Sequence, residues 1–148
     1  SFLLFPVPIH TASVRVRMSN PQKICPVDPG LCAAFLTAGT EHIGSLLELA
    51  VYAELRRRNS VVEYVVTDQG YEVDFIATGP DGEVELIQVC QNLAEPNARE
   101  RELRALRDAV KMVRKAKATV VTLVDEETTS VDGHPVRVIP AWKWLLAW

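Results

Sequence analysis

Several features that commonly reveal function are missing from this 148-residue chain. It has three cysteines and no CxxC pair, so neither a disulfide framework nor a cysteine-based zinc site is indicated. No apolar run approaches the roughly 18 residues that a membrane-spanning helix requires. The motifs GxxxxGK[ST], GxGxxG, HExxH and GxSxG are also absent. Their absence argues against P-loop phosphate binding, dinucleotide binding and the common zinc and serine hydrolase sites.

The composition is that of one ordinary soluble domain. Hydrophobic residues make up 48% of the chain and charged residues 24%, enough apolar material for a substantial core. The net charge of −3 argues against a strongly basic nucleic-acid binder, although it is compatible with a local basic face. Three cysteines without a CxxC pair suit a reducing cytoplasm, and no membrane association is expected. The isolated histidines predict no metal ligand or base, and the cysteines predict small buried hydrophobes: His10, His42, His134, Cys25, Cys32 and Cys90.

The first 40 residues predict a hairpin followed by a connector. The segment SFLLFPVPI has no initiator Met, so we expect it to come from a longer protein. Its two prolines predict an edge strand or an extended connector. Residues 13–18 alternate apolar and basic side chains as a half-exposed strand does, so we expect them to pair with it. The following Pro-, Asn- and Gly-rich stretch predicts a loop with a short strand at Lys23–Val27.

Residues 41–148 show a regular order of helices and strands. The hydrophobic periodicity predicts helices at 41–58, with Thr40 as N-cap, at 98–117 and at 142–146. It predicts strands at 61–67, 71–77, 83–90, 119–124 and 136–139, the first three of which form an antiparallel meander. The long helical connection places strand 119–124 parallel to an earlier strand. The expected architecture is an α/β sandwich with a central mixed sheet.

Three polar residues occupy positions where packing alone favours apolar side chains. Glu48 lies one step round the first long helix from its apolar stripe, near the buried edge. Asp74 interrupts the β-forming run EVDFIA, and Gln88 lies in the middle of the apolar strand LIQV. One polar residue on each of three neighbouring elements indicates a functional site. The structural alternative is a solvated Glu48, an Asp74 paired with an arginine and a Gln88 bonded to backbone.

Six segments in order carry a resemblance that covers nearly the whole chain. They are NPQKICPVDPGL, GSLLELAVYAELRRRN, GYEVDFIA, ELIQVCQNL, RERELRAL and VIPAWKWLL. Together they resemble the C-terminal region of a prokaryotic family of AAA-type ATPases, which is catalogued as DUF4143 and is similar to the PD-(D/E)XK nuclease fold. The resemblance implies a restriction-endonuclease-like α/β sandwich over residues 41–148. It implies that residues 1–40 are the remnant of a winged-helix-like unit that follows an ATPase domain.

In the nuclease fold, a helix Glu, a strand Asp and the Glu of an E-x-K motif hold a divalent metal ion, and the Lys helps to activate water. The resemblance places Glu48, Asp74, Gln88 and Cys90 at these four positions. Glu48 and Asp74 match, and they are the metal ligands, for Mg²⁺ or Mn²⁺, if the site is functional. Gln88 adds no charge to a metal site, and Cys90 supplies no ammonium. The pattern therefore predicts a remnant site.

The sequence offers no substitute for the missing acid but two candidates for the missing lysine. Glu85 does not replace the missing acid, because it lies an odd number of residues from Gln88 and so faces the other side of the strand. Lys111 or Lys115 of the second long helix is a candidate replacement for the lysine. No other cofactor is expected in this fragment, since the P-loop of the resembling family is absent.

Basic residues on both long helices are the candidate nucleic-acid contacts: Arg57, Arg58, Arg104, Arg107, Lys111 and Arg114. The alternative is a solvated basic face whose cations favour the helix dipole. DNA is the expected partner, and the protein's own ATPase domain or a second copy of the chain are the alternatives. The tryptophans of WKWLLAW predict core cover first and a partner interface second.

Three functions are compatible with these patterns. The leading hypothesis is a catalytically silent nuclease-like accessory domain of an AAA-type ATPase, acting in DNA or protein binding and regulation. The second is an active Mg²⁺- or Mn²⁺-dependent DNA endonuclease. The third is a structural or oligomerisation domain. The geometry around Asp74 discriminates among them, above all whether any lysine lies beside it.

Overall fold

A computed structural model describes residues 3–28, 30, 42–58 and 60–147 of the chain. Over these residues the strands are β1 (Leu4–Val7), β2 (Lys23–Pro26), β3 (Val61–Val66), β4 (Glu72–Thr78), β5 (Val84–Val89), β6 (Lys117–Thr122), β7 (Glu127–Val131) and β8 (His134–Pro140). The helices are α1 (Val14–Ser19), α2 (Ile43–Arg57), α3 (Pro96–Met112) and α4 (Ala141–Leu146). The predicted N-cap Thr40, the predicted helix end at Asn59 and Cys32 lie outside the described residues.

The main sheet has six strands in the order β3-β4-β5-β6-β8-β7. β3, β4 and β5 form an antiparallel meander, as predicted. The crossover through α3 makes β6 parallel to β5, which also confirms the prediction. β8 pairs parallel to β6, and β7 closes the edge antiparallel to β8. The predicted α/β class with a mixed central sheet is confirmed.

The two long helices cover opposite faces of this sheet. Leu47, Val51 and Leu55 recur every four residues on α2 and pack with α4 and the β1–β2 hairpin on one face. Leu106 and Val110 of α3 pack on the other face against β5, β6 and β8. Each helix buries one apolar stripe, so the sheet is enclosed from both sides. The ends of its strands remain the places where polar side chains can gather.

The N-terminal segment differs from the prediction. β1 pairs with β2, and residues 14–19 form the helix α1 where a strand was predicted. Ser13 caps α1, its Oγ accepting from the backbone N–H of Val16 at 3.3 Å. The alternating apolar residues of α1 are exposed, so no buried face imposed a strand. The short strand predicted at residues 23–27 is confirmed over Lys23–Pro26.

The β1–β2 hairpin belongs to the same core as α2. Val7 and Cys25 are buried in that core. The chain just beyond β1 adds to the outer edge of β3, where Ile9 forms a parallel bridge with Tyr64. The Tyr64 hydroxyl in turn donates to the carbonyl of Pro21 at 2.7 Å. These contacts fix β2 against the edge of the main sheet, which determines where Lys23 lies. The division of the chain at residue 40 stays a prediction.

Two further elements depart from the sequence prediction. α3 ends at Met112, five residues before the predicted end. Lys117, the predicted last residue of the helix, is the first residue of β6. The strand β7 was not predicted at all. Asp132 and Gly133 both have positive φ, 49° and 80°, in the two-residue turn that joins β7 to β8. An Asp-Gly pair is a strong hairpin signal in sequence, so this turn could have revealed β7.

The remaining predictions have mixed outcomes. Cys25 and Cys90 are buried, which confirms their interpretation as small core residues. Trp144 is buried in the α2 core, whereas Trp142 is 60% exposed; Trp148 lies outside the described residues. No helix within the described part of the chain has the length and apolar character needed to cross a membrane.

Candidate functional site

Asp74 lies at an irregularity of the sheet. Asp74 and Phe75 of β4 lie opposite Tyr64 alone, because the register changes between the pairs Glu63–Ile76 and Val65–Val73. Such a β-bulge breaks the alternation of side chains and is common beside functional sites. As a result Phe75 belongs to the α2 core, while both Val73 and Ile76 belong to the α3 core. The carboxylate of Asp74 follows Phe75 and turns towards the side of α2 and β2.

The pairing of β4 with β5 ends at this same point. The last ladder pair is Phe75 with Ile87, and beyond it side chains replace the backbone bonds. The N–H of Asp74 donates to Gln88 Oε1 at 3.3 Å, and the N–H of Val89 donates to Asp74 Oδ2 at 2.8 Å. The alternative interpretation of Gln88, a bond to backbone, is therefore correct. The two strands separate here, and the two predicted site residues fill the gap.

Lys23 is the lysine beside Asp74. Its ammonium lies 3.4 Å from Asp74 Oδ1, 3.1 Å from Glu48 Oε1 and 2.6 Å from Glu72 Oε1. The rings of Tyr64 and Phe75 flank it, with centroids 5.8 and 5.7 Å from Nζ. The structure thus brings Glu48 and Asp74 together through an ammonium from β2. Asp74 is paired with this lysine, where the alternative interpretation expected an arginine.

The charges of this cluster shift two pKa values. Burial, reinforced by the neighbouring Glu48, raises the pKa of Asp74 to about 7, although Lys23 and the Val89 N–H oppose the change. Burial alone would lower the pKa of Lys23, but Asp74, Glu72 and Glu48 together raise it above its ordinary value. Lys23 therefore stays charged at neutral pH, and Asp74 holds its proton more tightly than an ordinary aspartate does.

A second carboxylate approaches Gln88 from the α3 face. Glu102, only 4% exposed, accepts a 2.6 Å hydrogen bond from Gln88 Nε2. Its other oxygen accepts two bonds from the guanidinium of Arg101, at 2.6 and 2.9 Å. Burial, with Glu102 nearby, raises the pKa of the Cys90 thiol to about 12, so that side chain is neutral. An uncharged group thus occupies the position of the lysine in the E-x-K motif.

The side chains of Glu48, Asp74 and Gln88 do not fit the divalent metal ion that the resemblance implies. The described residues contain no group of three His, Cys, Asp or Glu side chains placed to hold one. The carbonyl of Gln88 is engaged by the Asp74 N–H, and the oxygens of Glu48 and Asp74 face an ammonium. A hard cation needs several free oxygen ligands, which this arrangement does not offer.

Neither lysine that was predicted as a replacement reaches the site. Lys111 lies between Asp108 and Asp132, at 3.4 and 3.2 Å. Lys115 lies just before β6, next to the end of the β5–β6 ladder where Glu85 pairs with Lys117. Gln88 lies towards the other end of that ladder. Glu85 accepts from Thr119 and also lies away from the site. The prediction of a lysine from the second long helix was wrong.

The predicted nucleic-acid contacts do not form one surface. Arg57 and Arg58 end α2 on one face of the sheet, and both donate to Glu54. The others belong to α3 or follow it, on the opposite face: Arg104 stacks over Tyr71, Arg107 and Lys111 lie near Asp132, and Arg114 is exposed. Ion pairs and ring contacts thus account for most of these cations. The solvated-face interpretation fits them better than a continuous DNA track.

Arg58 offers a test of that structural role. Its guanidinium donates to the Trp144 carbonyl and to Glu54, both at 2.7 Å, and lies 4.4 Å above the Trp144 ring. We expect Arg58→Ala to lower the free energy of unfolding by about 1–2 kcal/mol in urea denaturation. The exposed Arg114→Ala is the control, with an expected change below about 0.5 kcal/mol. Unchanged stability of Arg58→Ala with weakened DNA binding would contradict this assignment.

Three residues of the site were missed in the sequence, and each carried a signal. Lys23 shares its strand face with the buried Cys25, two residues on. Glu72 lies two residues before Asp74. Glu102 lies three, four and seven residues before Ala105, Leu106 and Ala109, on the buried face of α3. A carboxylate on an apolar stripe needs a partner, and Gln88 is that partner.

Comparison with known proteins gives one sequence relative and no functional description. No protein-family model matches the chain. No solved structure matches it either. An uncharacterized protein of Methanocaldococcus jannaschii, MJ1544, is 37% identical to the chain over 123 residues. The match covers 77% of this chain and 27% of that protein, so the chain spans about a quarter of the length of the curated relative that it matches.

Proposed function

We propose that this chain is a PD-(D/E)XK-like domain that does not cleave nucleic acid and serves as an accessory module of an AAA-type ATPase. The observation that carries the proposal is the side chain of Gln88, which stands in place of the second acid and is bonded at both its oxygen and its nitrogen. Its carbonyl accepts from the Asp74 N–H and its amide donates to Glu102. Metal-dependent hydrolysis at this site would need that oxygen free.

The neighbouring thiol supports the same conclusion. In the nuclease pattern the lysine two residues after the second acid provides positive charge beside the scissile phosphate. Cys90 lies at that position, is 8% exposed and has a pKa of about 12. It therefore supplies neither a charge nor a proton-donating ammonium. The site retains the helix and strand acids of a nuclease without the groups that would complete the chemistry.

The accessory role rests on the resemblance of the six sequence segments and on the length of the relative. The Methanocaldococcus jannaschii relative extends well beyond the matched region, since the match covers 27% of it. The chain has no GxxxxGK[ST] motif, and we propose that ATP hydrolysis belongs to another part of the full protein. The module would then bind DNA or the ATPase domain. Binding to DNA that weakens with added salt would support the first partner.

A cleavage assay tests the proposal. Wild-type protein, incubated with supercoiled plasmid and with single-stranded DNA in Mn²⁺, is expected to leave both intact. Asp74→Ala is the matched control, because it distinguishes activity of this site from a contaminating nuclease. Cleavage by the wild type that Asp74→Ala abolishes would refute the proposal. Cleavage that is identical in both proteins would be contamination and would leave no activity assigned to the site.

Lys23 favours one alternative, an active endonuclease whose lysine comes from β2. Its ammonium lies within 3.4 Å of Asp74 and 3.1 Å of Glu48. In that alternative Lys23 would assist water attack, and Lys23→Ala would abolish a cleavage that the wild type performs. The same assay thus decides between the two functions. A stable oligomer with no affinity for DNA would favour the structural alternative instead.

A further inference from the structure

The environment of Lys23 is that of a bound cation. Three carboxylates, those of Glu48, Glu72 and Asp74, lie within 3.4 Å of its ammonium. The faces of Tyr64 and Phe75 lie within 5.8 Å on its flanks. Side-chain oxygens and aromatic faces together are the ligands of a cation that has left water. The Lys23 side chain is 22% exposed, so most of it is withdrawn from solvent.

We propose that Lys23 is the resident cation of this site, carried into it by the β1–β2 hairpin in place of a divalent metal ion. The inference rests on the proposed assignment of the site as nuclease-like. It adds Lys23 and Glu72 to the site, and it explains why two acids of a metal centre persist where no metal fits. Without the ammonium, three carboxylates would repel one another across a few ångströms.

The packing of the β1–β2 hairpin fixes the position of Lys23. Cys25, on the same face of β2 as Lys23, is 3% exposed in the α2 core, and Val7 of β1 is fully buried there. The Tyr64 hydroxyl holds the chain two residues before Lys23 by its bond to the Pro21 carbonyl. The side chain is thus anchored on both sides of its attachment point. A divalent ion could approach these carboxylates only if the Lys23 ammonium were removed from them, so Lys23 keeps the site closed to metal ions.

Substitution of Lys23 tests this directly. Lys23→Met keeps an unbranched side chain of similar length and removes the ammonium from the carboxylates of Glu48, Glu72 and Asp74. At about pH 8, where carboxylates are ionised, isothermal titration with Mn²⁺ is expected to show binding at least roughly tenfold tighter in Lys23→Met than in the wild type. Mn²⁺ is also expected to raise the melting temperature of the variant and not that of the wild type. The metal salt alone is the probe, so no nucleic acid is needed.

Two controls keep the test decisive. Lys117→Met removes another ion-paired lysine, the partner of Glu83 at the far end of β5, and is expected to leave Mn²⁺ binding unchanged. Lys23→Gln retains a hydrogen-bond donor and serves if Lys23→Met does not fold. Equal Mn²⁺ affinity in the wild type and in the folded Lys23 variant would overturn the inference. DNA cleavage by the wild type would instead refute the proposed function, so the two failures are distinguishable.

Discussion

Asp74→Asn is expected to stabilise the protein at pH 8 by about 2 kcal/mol, an unusual outcome for the loss of a bonded side chain. The carboxylate of Asp74, a residue of β4, lies between β4 and β5, and burial and Glu48 raise its pKa from 3.8 to about 7. At pH 8 the folded protein therefore holds a carboxylate in surroundings that favour its neutral form. Asparagine keeps an oxygen for the Val89 N–H, so the substitution removes mainly the charge.

The effect depends on pH in a defined direction. The folded state keeps the Asp74 proton up to about pH 7, whereas the unfolded chain releases it near the ordinary value of 3.8. Between these values the native state binds more protons, so the contribution of Asp74 to stability falls as pH rises. The full shift corresponds to about 4 kcal/mol, and we expect about half because the NH2 group of asparagine, in the place of Asp74 Oδ1, cannot accept from Lys23 as a protonated carboxyl oxygen can. The gain from Asp74→Asn should grow from about pH 4 to 7 and then level off.

Urea denaturation of both proteins at a series of pH values between those limits measures this gain. Asp68→Asn, at an exposed turn position, is the matched control for removal of an aspartate charge. Equal stability of Asp74→Asn and wild type at pH 8 would mean that the Lys23 contact fully offsets the burial of the carboxylate. A stable site with an ionised Asp74 would then fit the active-nuclease alternative better than the remnant site. The pH series therefore bears on function as well as on stability.

The sequence predicted the elements well where one periodic pattern dominated. The stripe Leu47, Val51 and Leu55 on α2 and the turn-bounded strands β3 to β5 needed no tertiary information. The sequence also indicated one site from Glu48, which lies beside the apolar stripe of α2, and Asp74, which interrupts a β-forming run; both carboxylates contact the Lys23 ammonium. The prediction of a strand for residues 13–18 failed because period-two alternation in an exposed segment is not enforced by burial.

The rest of the site depends on tertiary structure that local patterns do not encode. The bulge opposite Tyr64 sets Asp74 and Phe75 towards the same side, which a regular alternation of side chains excludes. Lys23 reaches Asp74 across 51 residues of chain only because the β1–β2 hairpin packs on α2. The substitute lysine was expected from α3, where charge is dense, whereas Lys23 begins the short strand β2. The density of charge on α3 did not indicate the site, since Arg107 and Lys111 pair with acids of α3 and with Asp132.

Glu102→Leu is expected to be the most destabilising single substitution in the polar part of the protein. The Glu102 side chain is buried, and its carboxylate accepts from both Gln88 and Arg101. Its removal leaves Gln88 Nε2 without a partner in a buried position, and the expected loss is about 3 kcal/mol in urea denaturation. Glu100→Leu, two residues earlier on the same helix and 61% exposed, is the control with an expected change below about 0.5 kcal/mol.

A double variant shows whether the loss comes from the unpaired amide. Gln88→Met combined with Glu102→Leu removes the buried amide and its carboxylate acceptor together. The Asp74 N–H also loses its acceptor, but that bond is long at 3.3 Å, so its loss costs less than a buried amide without a partner. We expect the double variant to be at least about 1 kcal/mol more stable than Glu102→Leu alone. Simple addition of the two single losses would show that Glu102 does not hold Gln88. The Gln88 carbonyl would then be free to turn towards a cation beside Asp74, and the proposal of a silent site would lose the observation that carries it.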